Sequence, residues 1–257
     1  MTRQIRFDAI DNFRDFGDYA AGSRRLKPGL LYRSASQAMA TDADLAKLAA
    51  LNLSVIVDLR RANEREKGPS RRWDGFSAEV IENDIGQDSA DEWATFITTS
   101  DLTPGSFRAY MLDYYRQAPF QRRHIDLYQR YFRALAATDG AILVHCAAGK
   151  DRTGIICALT HHMAGVHDDD IVADYLLTND PERLEKRLPM IRDVVREATG
   201  RVADDAALMV AMRVEGEYLQ EAFAVMREQA GSLDGYLDDV LGLDADLRGR
   251  IHDRLLA

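Results

Sequence analysis

Apolar positions along this chain change their period between its first two thirds and its last third. Short, mostly apolar runs at residues 30–33, 53–59 (LSVIVDL), 78–81 and 141–144 read as strands. Between them lie helical patterns. Residues 41–51 form one, opened by Thr41 as N-cap with Asp44 completing a capping box. Residues 121–137 form a long amphipathic helix leading into the 141–144 run, and residues 153–163 another directly after it. Strands alternating with helices predict an α/β fold, a mainly parallel central sheet flanked by helices on both faces.

From residue 168 onward the pattern is helical, with helices expected after Asp168, at Asp180-Pro181, after Asp204 and near Ser232. Leu208, Met212, Leu219, Phe223 and Met226 fall on one face of the third of these, as core packing does. No repeat or low-complexity run divides the chain. A single domain over 1–257 is therefore expected, with 168–257 completing it. Residues 87–120 do not fit a minimal fold: they carry Trp93, Phe96, Phe107, Tyr110, Tyr114, Tyr115 and Phe120 between a strand and the helix before the fourth strand. They read as an insertion or lid over the site, with helical core as the alternative.

The chemistry concentrates in HCAAGKDRTG, residues 145–154. A turn between a buried strand and a helix points backbone N–H groups inward and binds anions. Gly149 supplies the positive φ that curls such a loop, and Gly154 permits close packing at the first helical turn. Cys146 sits where amides, a helix N-terminus and a guanidinium favour the thiolate. Arg152 can grip two phosphate oxygens, as lysine cannot. His145 fixes the loop through backbone groups, and the Thr153 hydroxyl can donate to the thiolate when it leaves. The set predicts phosphoryl transfer through a phosphocysteine; the alternative is a buried cysteine between core elements.

Charge and cysteine content narrow the class further. The net charge of −9 argues against nucleic acid as a partner. Locally, Lys150 and Arg152 with Arg14, Arg33, Arg60 and Arg61 are candidates for a basic cleft, the last four having plain surface charge as the alternative. Cys146 and Cys157 are the two cysteines, with no zinc-site spacing, so neither a disulfide framework nor a metal or other cofactor is expected. Cys157 reads as core, or as a partner for a reversible disulfide with Cys146. No apolar stretch reaches the roughly 18 residues of a membrane span, and the N-terminus lacks the apolar segment of a signal peptide. A cytoplasmic location is expected, with export lacking a signal peptide left open, as is the oligomeric state.

The chain resembles the bacterial cysteine-dependent tyrosine phosphatases that carry HCxxGKDRTG, secreted mycobacterial tyrosine and lipid phosphatases among them. NFRDFG at 12–17, LYRS at 31–34, VDLR at 57–60, the loop itself and DIVADYLLTND at 170–180 carry the resemblance over nearly the whole chain. It implies the cysteine-phosphatase fold with extra helices near the site, Cys146 as nucleophile, Arg152 as clamp, and Ala147, Ala148, Gly149, Lys150 and Asp151 as the cradle. It implies broad activity on phosphotyrosine, sometimes phosphoserine or phosphothreonine, and often phosphoinositides, where Lys150 suits several phosphates. The general acid is open, because the WPD triplet of larger tyrosine phosphatases is missing. Asp151 stands where myotubularin-like lipid phosphatases also have an aspartate; Asp84 stands where small dual-specificity phosphatases keep their acid; Asp58 ends a strand, where orienting arginines is the alternative role. A protein tyrosine or dual-specificity phosphatase ranks first, a phosphoinositide phosphatase second, and a non-catalytic phospho-binding module last, since both cysteine and arginine are present. Sulfur transfer of the rhodanese type and arsenate reduction fit the motifs less well.

Overall fold

The computed structural model describes residues 3–86 and 92–257. In chain order it contains β1 (Arg14–Asp15), β2 (Ala20–Ala21), β3 (Arg24–Arg25), β4 (Leu31–Ser34), α1 (Asp42–Ala49), β5 (Leu53–Asp58), α2 (Ala62–Lys67), β6 (Glu79–Ile81), α3 (Glu92–Thr99), α4 (Pro104–Gln117), α5 (Arg122–Ala137), β7 (Ala141–His145), α6 (Asp151–Ala164) and α7 (Asp168–Leu176). There follow α8 (Pro181–Thr199), α9 (Asp205–Met212), α10 (Gly216–Ala230), a short α11 (Leu233–Gly235) running into a π-helical turn at Tyr236–Val240, and α12 (Ala245–Leu255). The Thr41–Asp44 capping box forms as expected.

Five strands make a mixed sheet in the order β1-β4-β7-β5-β6, parallel except for β1. Central β7 is apolar along both faces because both are covered. Ala141 and Leu143 join the cluster of Leu45 and Leu48 from α1, whereas Ile142 and Val144 join Leu127 and Tyr131 of α5 and Ile155 and Leu159 of α6. Register places the carboxyl ends together: His145 lies opposite Ser34 on one side and Asp58 on the other. The phosphate-loop motif leaves this end, where open α/β sheets gather ligands.

Two expectations change. The apolar face attributed to one helix after Asp204 belongs to two, because α9 stops at Met212 and α10 begins at Gly216. Val214, buried between them, exchanges two bonds of 2.8 Å with the Asn179 side chain, which replaces the helical partners of that peptide. Leu208 then enters a separate helical cluster, while Leu219, Phe223 and Met226 enter the main one. Nor do Arg14, Arg33 and Arg60 make a basic cleft or a charged surface: all three are buried in ion pairs, with Asp174 for the first two and Asp58 for the third.

Candidate active site

Cys146 follows β7 directly and is 2% exposed. Gly149 takes φ +63°, and a Cβ there would clash with the Ser34 carbonyl oxygen, so the loop curls tightly onto the end of β4. At Gly154 a Cβ would approach the Tyr175 ring to 2.7 Å, which fixes how closely α6 and α7 pack. Both glycines therefore serve the geometry their motif implied.

Behind the loop, His145 and Asp58 form a buried layer. His145 Nδ1 lies 3.4 Å from the Cys146 carbonyl and Nε2 3.5 Å from Asp58 Oδ2. Burial pushes the imidazole down to about 4, against the pull of Asp58, so the ring is neutral at physiological pH. Burial alone would raise the Asp58 carboxyl, but His145 and Arg60 outweigh it and hold it well below the carboxylate range. Arg60 grips Asp58 through Nε at 2.9 Å and Nη2 at 2.7 Å. Thr153 Oγ1 is buried with no hydrogen-bond partner among the described residues.

A cavity of about 350 Å³ opens over the loop. Its floor is Ala147, Ala148, Lys150, Asp151 and Arg152. Arg152, in the first turn of α6, makes a forked pair with Glu64, Nη1 to Oε2 at 2.5 Å and Nη2 to Oε1 at 2.9 Å. Burial would raise Glu64, yet Arg152 lowers it to about 2. The same carboxylate accepts the Arg61 backbone N–H at 2.7 Å, so α2 is capped by the group that orients Arg152.

Asp151 Oδ1 accepts a hydrogen bond from the Tyr115 hydroxyl at 2.8 Å and lies 3.5 Å from Lys150 Nζ. Since the one Tyr115 proton goes to Asp151, the Tyr175 hydroxyl at 2.6 Å donates to Tyr115. Lys150 is buried, and Nζ donates to the carbonyls of Ala211 at 2.5 Å and Arg213 at 3.3 Å, closing the end of α9. Its ammonium is therefore spent on this helix as well as on the loop.

The roof comes from two places in the sequence. Trp93 of α3 and Tyr110, Met111 and Tyr114 of α4 form one side; Arg183, Arg187 and Ile191 of α8 with Met212 of α9 form the other. These helices share their own apolar cluster, including Ile97, Phe107, Val195 and Leu208. Of the aromatics in 87–120, Trp93, Tyr110 and Tyr114 face the cavity while Phe107 and Tyr115 are core; residues 87–91 lie outside the described ones.

Of the anticipated residues, Ala147, Ala148, Lys150, Asp151 and Arg152 converge on the cavity, and Cys146, Gly149, His145, Thr153 and Asp58 are buried behind it without lining it. Asp84 stands apart, its exposed carboxylate paired with Arg65. Sequence reasoning missed Glu64, Arg123 and Arg183. Arg123 donates to the neutral His124 ring at 2.6 Å and the Leu59 carbonyl at 3.1 Å; Arg183 donates to the carbonyls of Thr178 at 3.2 Å and Ala148 at 3.3 Å. Neither has a carboxylate within ion-pair distance among the described residues, and burial lowers both to about 10. No local pattern of neighbouring residues singled any of them out.

Residues 5–257 match the family model described as the tyrosine phosphatase family. A Cupriavidus necator chain bearing a provisional tyrosine-protein phosphatase name is 33% identical over 95% of this chain and 87% of its own length. The triple specificity protein phosphatase PtpB of Mycobacterium tuberculosis is 34% identical over 89% of this chain and 90% of its own. A Nostoc commune tyrosine-protein phosphatase is 34% identical over 57% of this chain and 47% of its own. With the loop, its forked arginine and the mainly parallel sheet already in place, these matches mean that the chain belongs to the tyrosine phosphatase family and is a hydrolase of phosphoric monoesters.

Proposed function

We propose that this enzyme dephosphorylates phosphotyrosine in proteins, with the whole of 1–257 acting as one catalytic domain. The observation that carries the reading is a cavity with aromatic walls, Trp93, Tyr110 and Tyr114, leading down to a phosphate loop. An aryl phosphate matches both parts: ring against aromatic wall, phosphoryl group in the cradle. The Tyr114 hydroxyl, buried without a hydrogen-bond partner among the described residues, adds a polar contact for that ligand.

In this reading Cys146 Sγ attacks phosphorus while the bond to the leaving oxygen breaks and Asp151 gives that oxygen its proton. Arg152 and the loop amides hold the equatorial oxygens throughout. Water then attacks the phosphocysteine, Asp151 takes the water proton, and Thr153 donates a hydrogen bond to the departing thiolate. Asp151 is favoured over Asp58 and Asp84 because it alone of the three lines the cavity. Cys157 is assigned to the core, where burial pushes its thiol up to about 12. The roof helices act as a lid, with 92–117 supplying one side.

A second reading, phosphoinositide hydrolysis, is favoured by Arg123 and Arg183, two buried cavity cations that an additional phosphate would neutralise. No helix among the described residues is long and apolar enough to cross a membrane. The test compares kcat/KM for a phosphotyrosine peptide and a soluble phosphatidylinositol monophosphate, with Cys146→Ser as blank. A ratio well above one is expected; a ratio well below one reverses the ranking. In the same assay, Asp151→Asn should slow an alkyl phosphate about 10²-fold more than an activated aryl phosphate. Equal slowing would assign Asp151 to loop geometry.

A further inference from the structure

Three segments that carry the family resemblance contribute almost nothing to the cavity wall: NFRDFG, LYRS and the α7 stretch around Asp174. Their polar side chains meet beneath the loop instead. Asp174, 1% exposed, accepts from Arg14 Nε at 3.3 Å and Tyr19 Oη at 3.4 Å on Oδ1, and from Arg33 Nη1 at 3.0 Å on Oδ2. Its backbone carbonyl accepts from Arg14 Nη2 at 2.8 Å. The other ends of these donors reach the phosphate loop. Arg33 Nη2 donates to the Gly149 carbonyl at 3.0 Å, and Asn12 Nδ2 donates to the same oxygen at 2.7 Å. Arg14 Nη1 in turn holds Asn12 Oδ1 at 2.5 Å.

The consequence follows from peptide geometry. In a trans peptide the C=O and the next N–H point in opposite directions. Two donors that pin the Gly149 carbonyl toward Asp174 therefore turn the Lys150 N–H toward the other side of the loop. A bare amide in a curled loop can flip; one whose carbonyl carries a guanidinium and a carboxamide cannot do so without stranding them. Burial would raise the Asp174 carboxyl, but Arg14 and Arg33 bring it to about 2, so the anchor stays charged over the working range.

We propose that Asp174 is a positioning residue for catalysis, acting through Arg33, Arg14 and Asn12 to fix the Gly149–Lys150 peptide and hence the amide cradle that receives the phosphoryl group. It touches no reacting atom. The proposal rests on the loop being a phosphate cradle, not on which phosphomonoester is the natural substrate. Its test therefore uses a generic aryl phosphate and inorganic vanadate.

The sign of the effect separates positioning from charge. Asp174→Asn removes a negative charge below an anion site, so electrostatics alone would tighten vanadate binding. Misplacement of the cradle predicts the reverse, a vanadate Ki raised about tenfold or more and kcat lowered about 10- to 100-fold with little change in KM. A variant with a lowered Tm but unchanged or tighter vanadate inhibition and unchanged kcat would overturn the proposal. Should Asp174→Asn fail to fold because two buried arginines lose their counter-ion, Asn12→Gly decides the matter, since Asn12 has φ +55°, which glycine keeps without strain. Asn12 is half-buried and uncharged, and its loss removes one donor to Gly149. About a threefold to tenfold rise in vanadate Ki at near-wild-type Tm is expected, and no rise would sink the idea.

Discussion

The floor and the roof of the active-site cavity are built on different principles. The floor hangs from the main apolar cluster, with Val144 beneath Cys146 and Ile155 and Ile156 behind the first turn of α6. Its charged groups are tied in pairs: Arg152 with Glu64, Asp58 with Arg60, Arg33 with Asp174. The roof has a smaller cluster of its own, and the cavity separates much of it from the loop. The two are joined by α4, whose Met111 and Tyr115 sit in the main cluster, and by polar contacts across the cavity edge, Lys150 to the end of α9 and Tyr115 to Asp151. Arg201 stitches the roof internally through the carbonyls of Ile97, Thr98 and Ser100. Met190 and Val194 on its outer side are 61% and 48% exposed. Chemistry requires donors fixed to within fractions of an ångström, whereas substrate entry requires a body that can move as a unit. Met111 and Tyr115 tie α4 to the main cluster, so α3, α8 and α9, whose apolar contacts lie in the satellite cluster, are the elements that can shift without unmaking the floor.

Substitutions in the two regions should separate chemistry from access. The largest effect belongs to Arg152→Lys, which keeps charge but loses the fork; kcat on an aryl phosphate should fall about 10²- to 10³-fold, with Tm within a few degrees of wild type. Phe107→Ala, at the centre of the roof cluster and fully buried, should cost about 3–5 kcal/mol locally. Amide exchange in α3, α4 and α9 should then quicken while α6 and β7 stay protected; uniform loss of protection would mean one inseparable core.

Glu64→Gln probes the edge between clamp and helix cap, with about a tenfold loss of kcat/KM expected from misaligned Arg152. The pH dependence gives its sign. Because the folded carboxyl lies near 2 against an ordinary value of 4.5, its stabilisation is fully present above about 4.5 and lost as pH falls toward 2. The Tm gap between wild type and Glu64→Gln should therefore be widest near neutral pH and shrink in acid. The smallest effect is expected from Lys150→Met: about a twofold to fivefold change in KM, kcat nearly constant, and faster exchange at the end of α9. A kcat loss as large as that of Arg152→Lys would place Lys150 on the phosphoryl group instead.

Local signals made the floor legible. The buried runs and the capping box at Thr41 located strands and α1 within a residue or two, and the glycines of the loop announced a curl and a close approach, both of which occur. Cys146 and Arg152 could be singled out because their chemistry depends on one contiguous segment. The break between α9 and α10 was not legible, because the residue that terminates the helical bonding, Asn179, lies 35 positions away from Val214. For the same reason Glu64, far from Arg152 along the chain, left no mark, and Arg14 and Arg33 read as a candidate basic cleft or as surface charge until their shared partner came into view.

By itself the sequence determined the α/β class and the loop that sets Cys146 and Arg152 between β7 and α6, since period, turn residues and a ten-residue motif are properties of neighbours along the chain. Tertiary structure alone decided which aspartate lines the cavity, that two distant helical segments form one roof, and that Asp174 gathers three motifs beneath Gly149. Those are matters of convergence in space, where burial turns a charge into an obligation to find a partner, and the partner's place in the sequence is unconstrained.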